Sequence, residues 1–239
     1  MGESELVLRR LLATPDRLHS LLMSPNKLER LSPALQAASL TCPVYVAPLE
    51  WISQIAGFHV HRGVLACGHR LEANALLPKV SLREVVDRKR CRLLLAEGIT
   101  NVDNMGALFR NAAAFGIDGV MLDPSCCDPL YRKAIRVSMG HVLSLPYGVS
   151  EDWGGDIEWL VTAGGMKLVV AETHSEAVDV RSIPIPERMA LVVGSEGSGV
   201  AESTCQKSHF VAKIPMSDST TSLNVATAAA VMLFALTNH

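Results

Sequence analysis

Five short apolar runs, at 92–96, 119–122, 167–171, 190–193 and 210–214, punctuate the second part of this chain, and helical patterns lie between most of them. Strands that alternate with helices predict a mainly parallel sheet covered on both faces. In such sheets ligands bind in the crevice beyond the carboxyl ends of the strands. Three polar or glycine-rich segments follow three of these runs, and chemistry is expected there.

The first part reads as a smaller α/β layer. Helical apolar spacing at 3–13 (Leu6, Leu8, Leu11, Leu12) is followed by a strand at 18–23 between Pro15 and Pro25. A helix at 26–38, a strand at 43–47, a helix at 49–56 and a strand at 63–67 complete it. The basic stretch 81–92 reads as a short helix leading into the next strand. The domain boundary is placed here, giving domains 1–90 and 91–239.

Composition narrows the function classes. Of 239 residues, 49% are hydrophobic and 19% charged, which supports an ordered core. Aromatics are only 5%, which argues against a surface tiled with base-stacking rings. No apolar run approaches the roughly 18 residues of a membrane span, and 225–236 reads as a buried Ala-rich helix. The N-terminal MGESELVLRR is charged and amphipathic, unlike a signal peptide, so a secreted or membrane protein is not expected. None of the six cysteines forms a C-x-x-C pair, and adjacent Cys126 and Cys127 could form only a strained bridge. Free thiols in a reducing cytoplasm are expected. Residues 1–92 hold 13 Lys+Arg against 8 Asp+Glu, and the remainder 9 against 16. A basic first part suits docking on a polyanion.

The first of the three segments is 97–110. Asp103 or Asn104 is expected to cap the helix that follows, and Gly106 to admit a backbone or a ligand at close range. Arg110 sits among Leu108, Phe109 and Ala112–Ala114. A guanidinium in that company needs an anionic or carbonyl partner, either a substrate or an internal carboxylate. The second segment, 191–199, ends in Gly194-Ser-Glu-Gly-Ser-Gly199. It is neither a P-loop nor G-x-G-x-x-G nor the G-x-S-x-G elbow. It reads as a tight loop whose backbone wraps a small ligand, with one carboxylate, Glu196, inside it. In the third, 214–230, Pro215 turns the chain after Ile214, and a polar loop enters a very apolar helix. Ser222 is the expected N-cap of that helix, while Asn224 suits holding a neighbouring loop or a ribose hydroxyl.

Together these residues resemble a known family. N-x-G-x-x-x-R (Asn104, Gly106, Arg110), the G-S-E-G loop (Gly194–Gly197), and I-P-M with S-L-N-V-x-x-A-A-A (Ile214–Met216, Ser222–Val225, Ala228–Ala230) occur in that order. They resemble the three motifs of the SpoU/TrmH branch of the SPOUT superfamily, the S-adenosyl-methionine-dependent RNA 2′-O-ribose methyltransferases. Ser138-Met-Gly140 and Pro146 are similar to a lesser motif of that family. The match spans roughly 91–239. The first part resembles the L30e-like substrate-binding domain that often precedes it, and His61-Arg62-Gly63-Val64 is similar to that domain's H-x-G-V signature. The sequence departs from the family where Asn101-Val102-Asp103 precedes the first motif and where Asp218 replaces a glycine.

The resemblance implies an α/β fold with a C-terminal trefoil knot and an active site formed across a homodimer; the 194–199 and 214–223 loops lack any metal-ligand pattern, so no metal is expected. It implies that the cofactor, S-adenosyl-methionine, lies against Gly194, Ser195, Gly197, Ile214, Met216 and Leu223. Arg110 is implied to activate the ribose hydroxyl and grip the RNA phosphate. Asn104, Glu196, Ser222 and Asn224 are implied to hold the loops, the cofactor edge or the target nucleotide. The partner is structured RNA, tRNA or rRNA. The basic cluster His59, His61, Arg62, His69 and Arg70 is expected to help dock it. Two rivals stand beside this reading: a dimeric RNA-binding protein that uses the knot only as a scaffold, and a methyltransferase acting on a base.

Overall fold

A computed structural model describes residues 1–70, 88–174, 176–217 and 219–237. The chain builds two sheets. The first uses β1 (Gly2–Glu3), β2 (Leu18–Met23), β3 (Val44–Val46) and β4 (Val64–Gly68) in the order β1-β4-β2-β3. Strand β4 runs antiparallel to β1 and β2, and β3 parallel to β2. Helices α1 (Glu5–Leu11), α2 (Pro25–Ala37) and α3 (Leu49–Ala56) complete this part. Local chemistry sets their ends. Ser4 Oγ accepts from Val7 N at the start of α1, Pro25 opens α2, and Gly57 closes α3 in the left-handed conformation.

The second sheet has seven strands. They are β5 (Cys91–Ala96), β6 (Gly119–Leu122), β7 (Tyr147–Val149), β8 (Lys167–Ala171), β9 (Val178–Asp179), β10 (Arg188–Val193) and β11 (Phe210–Lys213). Their order is β7-β6-β5-β10-β8-β11-β9, and every pairing is parallel. The connecting helices are α4 (Val102–Ala114), α5 (Arg132–Val137), α6 (Trp153–Thr162) and α7 (Glu202–Cys205), and α8 (Val225–Thr237) follows β11. Both faces are covered, as continuous apolar strands require. Leu94, Ala96, Val169, Leu191 and Val193 pack on one side, and Leu93, Leu95, Leu168, Val170 and Val192 on the other.

The expected strands and helices of the first part agree with this structure to within a few residues. Three elements escaped the sequence reading: β1, β7 and β9 are two or three residues long, too short for a periodic signal. The helix expected over 81–92 falls partly on 81–87, outside the described residues. Its end is corrected, because Cys91 and Arg92 open β5, where both are buried.

Register brings the carboxyl ends of four strands level. Val193 of β10 pairs with Ala96 of β5 and Ala171 of β8, and Ala171 pairs with Ala212 of β11. Glu97, Gly194, Glu172 and Lys213 therefore follow side by side along one rim. Gly106 belongs to packing. A Cβ there would lie 2.7 Å from the Ala134 carbonyl oxygen and from Val137 Cβ, so the glycine lets α4 lie against α5.

The two sheets share one apolar core, since Val7, Leu8 and Leu11 of α1 cluster with Ile135 and Val142. Polar links cross the same junction. Arg10 Nε donates to the Met139 carbonyl (2.9 Å), and Arg10 Nη2 lies 2.7 Å from His141 Nε2. A guanidinium has no acceptor, so Nε2 accepts and the His141 ring is neutral, carrying its proton on Nδ1. Burial lowers the His141 pKa from its ordinary 6.5, and the charges of Arg10 and Arg110 lower it further. His141 is expected to titrate below an ordinary histidine by nitrogen-15 NMR. Arg10→Met is expected to move it part of the way back, with burial keeping it depressed.

Candidate active site

The rim contains a cleft of about 380 Å³ lined by the ends of β8 and β10, the 194–199 loop, the segment after β11 and the start of α8. All six residues expected to contact a cofactor, Gly194, Ser195, Gly197, Ile214, Met216 and Leu223, line it, and so do Glu196 and Ser222. The loop closes tightly on itself. Gly199 N donates to Ser195 O at 3.1 Å, and a Cβ on Gly194 would collide with the Gly199 and Val200 backbone. Gly197 and Gly199 have φ of 107° and 66°, which side-chain-bearing residues rarely adopt. The glycines thus let the main chain itself form one wall, while Ile214, Met216 and Leu223 form an apolar one.

Asn104, Glu196 and Asn224 are joined directly. Asn104 Nδ2 donates to Glu196 Oε1 (3.0 Å), and Asn224 Nδ2 donates to Glu196 Oε1 (2.7 Å) and to Asn104 Oδ1 (2.8 Å). One carboxylate oxygen therefore ties together the segments that follow β5, β10 and β11. Glu196 Oε2 accepts no hydrogen bond among the described residues.

Both expected helix caps are corrected. Asn101, not Asp103 or Asn104, caps α4, its Oδ1 accepting from Asp103 N (2.8 Å) and Asn104 N (3.3 Å). Asp103 instead pairs with Lys133, and Asn104 faces the other loops. Asn224, not Ser222, caps α8, with Oδ1 accepting from Ala226 N (3.0 Å) and Thr227 N (3.3 Å). Its amide oxygen serves the helix and its amide nitrogen serves the neighbouring loops, which a serine two residues earlier could not do.

Two carboxylates outside the three motifs also shape this rim. Glu172 lines the cleft, and its Oε1 accepts from Val200 N at 2.5 Å, pinning the end of the glycine loop. Glu97 is buried and accepts from Ala201 N, Thr204 Oγ1 and Trp153 Nε1, each at 2.9 Å. Each is the first residue after its strand, the one available signal, but neither belongs to a recognisable spacing. Asn111, two turns along the same face of α4 from Asn104, donates to the Ala226 carbonyl (2.7 Å) and fastens α4 to α8. Burial pushes the Cys126 thiol up to about 12, and that thiol hydrogen-bonds the Ala96 carbonyl, so it is a protonated packing group.

Arg110 is not part of this network. It is exposed and makes no hydrogen bond or ion pair among the described residues, so the alternative of a buried structural ion pair is excluded. Six residues after Asn104, it lies about 9 Å further along α4 and on a different face. The basic residues of the first part also lie apart from the cleft. His61 and Arg62 line a second depression with Lys27, Arg30 and Glu5, and His59 stacks on His61 at 4.2 Å. Arg70 pairs with Asp128 (2.8 Å).

Comparison with known proteins identifies the family. Residues 92–234 match the model of the SpoU rRNA Methylase family. The chain belongs to this family and is an RNA methyltransferase. It is 37% identical over 237 residues to an uncharacterized tRNA/rRNA methyltransferase of Mycobacterium bovis, covering 98% of this chain and 79% of that one. It is 29% identical over 177 residues to the 23S rRNA (guanosine-2'-O-)-methyltransferase RlmB of Coxiella burnetii, covering 73% and 68%. Among solved structures, an AdoMet-bound rRNA methyltransferase of Sinorhizobium meliloti superposes with a TM-score of 0.79 at 22% identity, covering 97% of this chain and 84% of that one. The SpoU methyltransferase AviRb of Streptomyces viridochromogenes superposes with a TM-score of 0.78 at 22% identity, covering 97% and 86%. The fold is that of these SpoU methyltransferases.

Asn224 has two separable duties, which substitution can divide. Asn224→Ser keeps a capping oxygen for α8 and loses the amide that ties Asn104 to Glu196. Asn224→Ala loses both and is expected to be less stable than the serine variant by about 1 kcal/mol in urea unfolding. Equal stability of the two variants would show that the cap contributes nothing.

Proposed function

We propose that this protein methylates a ribose 2′-hydroxyl in structured RNA, tRNA or rRNA, using S-adenosyl-methionine. The observation that carries the reading is the character of the cleft. Its described lining contains two carboxylates, Glu172 and Glu196, and no lysine, arginine or histidine. Such a site disfavours phosphate-bearing nucleotides and suits a nucleoside bearing positive charge. The main-chain wall of the glycine loop offers donors and acceptors to its polar edge. Ile214, Met216 and Leu223 offer a slot for an adenine ring.

When bound, S-adenosyl-methionine supplies an electrophilic methyl carbon. The chain must then orient a ribose hydroxyl and ease loss of its proton. Glu196 Oε2 and the Ser222 hydroxyl, both in the cleft, position the nucleotide or the cofactor edge. Arg110 holds the 3′-phosphate with its planar fork, and its field lowers the pKa of the adjacent hydroxyl. A free guanidinium has a pKa above about 12, so Arg110 acts as grip and electrostatic stabiliser, and water takes the proton.

The position of Arg110, outside the cleft of its own chain, supports a homodimer in which Arg110 of the partner subunit completes each site. Exposed Phe234, 70% accessible on α8, and Val231 beside it supply apolar surface for such a contact. In this reading, residues 91–239 form the catalytic domain with the knot of its family. Residues 1–90 form the L30e-like docking domain, reaching RNA through His61, Arg62 and Arg70. None of the described helices is long and apolar enough to cross a membrane.

Titration calorimetry with S-adenosyl-homocysteine in chelator-treated protein is expected to show binding. No heat at millimolar ligand would overturn the cofactor assignment. Arg110→Ala and Arg110→Lys are expected to lose methyl transfer by about 100-fold or more in single turnovers. Their melting temperatures and cofactor affinity should be unchanged, because Arg110 is exposed and has no partner among the described residues to abandon. Near-normal transfer in Arg110→Ala would defeat its role, and methylation on a base in the mapped product would defeat the ribose assignment.

A further inference from the structure

A cluster of positive groups at the junction of the two sheets is not accounted for by the cofactor cleft. Arg10, on α1, reaches across to the turn after α5, where Met139 O and His141 Nε2 each take one of its five donors. Its remaining three N–H groups have no partner among the described residues. Arg9, one residue earlier, pairs with Glu5 at 3.0 Å, whereas among the described residues no carboxylate pairs with Arg10. The stem of Arg10 runs over Gly140, where a Cβ would lie 2.9 Å from Arg10 Cδ, so a glycine there clears its path.

Helix α4 packs against the 141–143 turn, and Arg110 on that helix lies near enough for its charge to be felt at His141. The charges acting on the His141 ring are those of Arg10 and Arg110, and both are positive. Arg10 at the ring, with the Arg110 charge felt there too and no carboxylate among the described residues paired to either, suits an anion from outside the chain.

We infer that Arg10 is a second RNA-phosphate-binding residue, aligned by Met139 O and His141, and that it grips the backbone beside the phosphate held by Arg110. This rests on the RNA-methyltransferase reading above and extends it by assigning part of the catalytic RNA path to the first helix of the chain. His141 acts here as a positioning residue: it accepts from Arg10 and fixes the direction of the fork.

The test is RNA binding by fluorescence anisotropy across a salt series, using a labelled RNA stem-loop and the full chain. Each phosphate contact contributes about one unit to the slope of log affinity against log salt. Arg10→Met is expected to reduce the slope by about one and to weaken binding roughly tenfold at low salt. Its affinity for S-adenosyl-homocysteine should match the wild type. A weakened affinity with an unchanged slope means a purely structural role for Arg10 and overturns the inference, as does unchanged affinity.

Arg10 also joins the two sheets, so a second measurement uses the wild type alone. The His141 ring resonances are expected to shift on saturation with the stem-loop and to stay in place with inorganic phosphate at matched ionic strength. Unmoved resonances with RNA, or movement with inorganic phosphate alone, overturn it. Failure of the wild type to bind the stem-loop removes the RNA reading itself, while RNA binding indifferent to Arg10 removes only this inference.

Discussion

One carboxylate oxygen organises the candidate site. Glu196 Oε1 accepts from the amides of Asn104 and Asn224, and those two amides bond each other. Three loops that leave three different strands are thereby held in one geometry. Hydrogen bonds to a charged acceptor in a partly buried setting are stronger than neutral ones, and a ring of three reinforces itself. Without this junction the 194–199 loop would be held only by its internal bonds and by Glu172 at its far end.

That junction is possible only because the sheet delivers its partners to the same rim. Four parallel strands end level, so the residues just past them meet irrespective of their distance along the chain. Two further carboxylates exploit this. Glu172 fixes the end of the glycine loop, and Glu97 fixes the short helix that follows it and holds Trp153 of α6. Glu97 has three donors and Glu172 two backbone ones, which is how a carboxylate is tolerated at a crowded rim. The result is a cleft whose walls are main chain and apolar side chains and whose charge is negative. It is separate from the cationic surfaces at Arg110 and on the first part. A positively charged nucleoside and a polyanion can then be bound side by side by regions of opposite sign.

Much of the fold was legible in the sequence. The continuous apolar runs from Leu93 to Ala96 and from Leu191 to Val193 are what a strand buried on both faces needs. The glycines at 194, 197 and 199 marked a loop with unusual backbone demands. The helix ends were less legible. Asp103, Asn104 and Asn101 are all competent caps, and local chemistry does not choose between them. The choice fell to Asn101 because Asn104 is drawn away by Glu196, 92 positions along the chain. Ser222 likewise yields to Asn224, whose side chain serves the helix and the loops together.

The sequence by itself determined the strand–helix alternation, the three loops that carry chemistry, and the residue types within them, because these depend on periodicity and on backbone demands local to a few residues. Only the tertiary structure decided the rest. It set β8 between β10 and β11, which turned Glu172 into a wall of the cleft. It left Arg110 exposed on a face of α4 away from Asn104, and it gave Gly106 to helix packing. Strand order and helix rotation follow from burying apolar faces contributed by the whole chain, so no single segment encodes them.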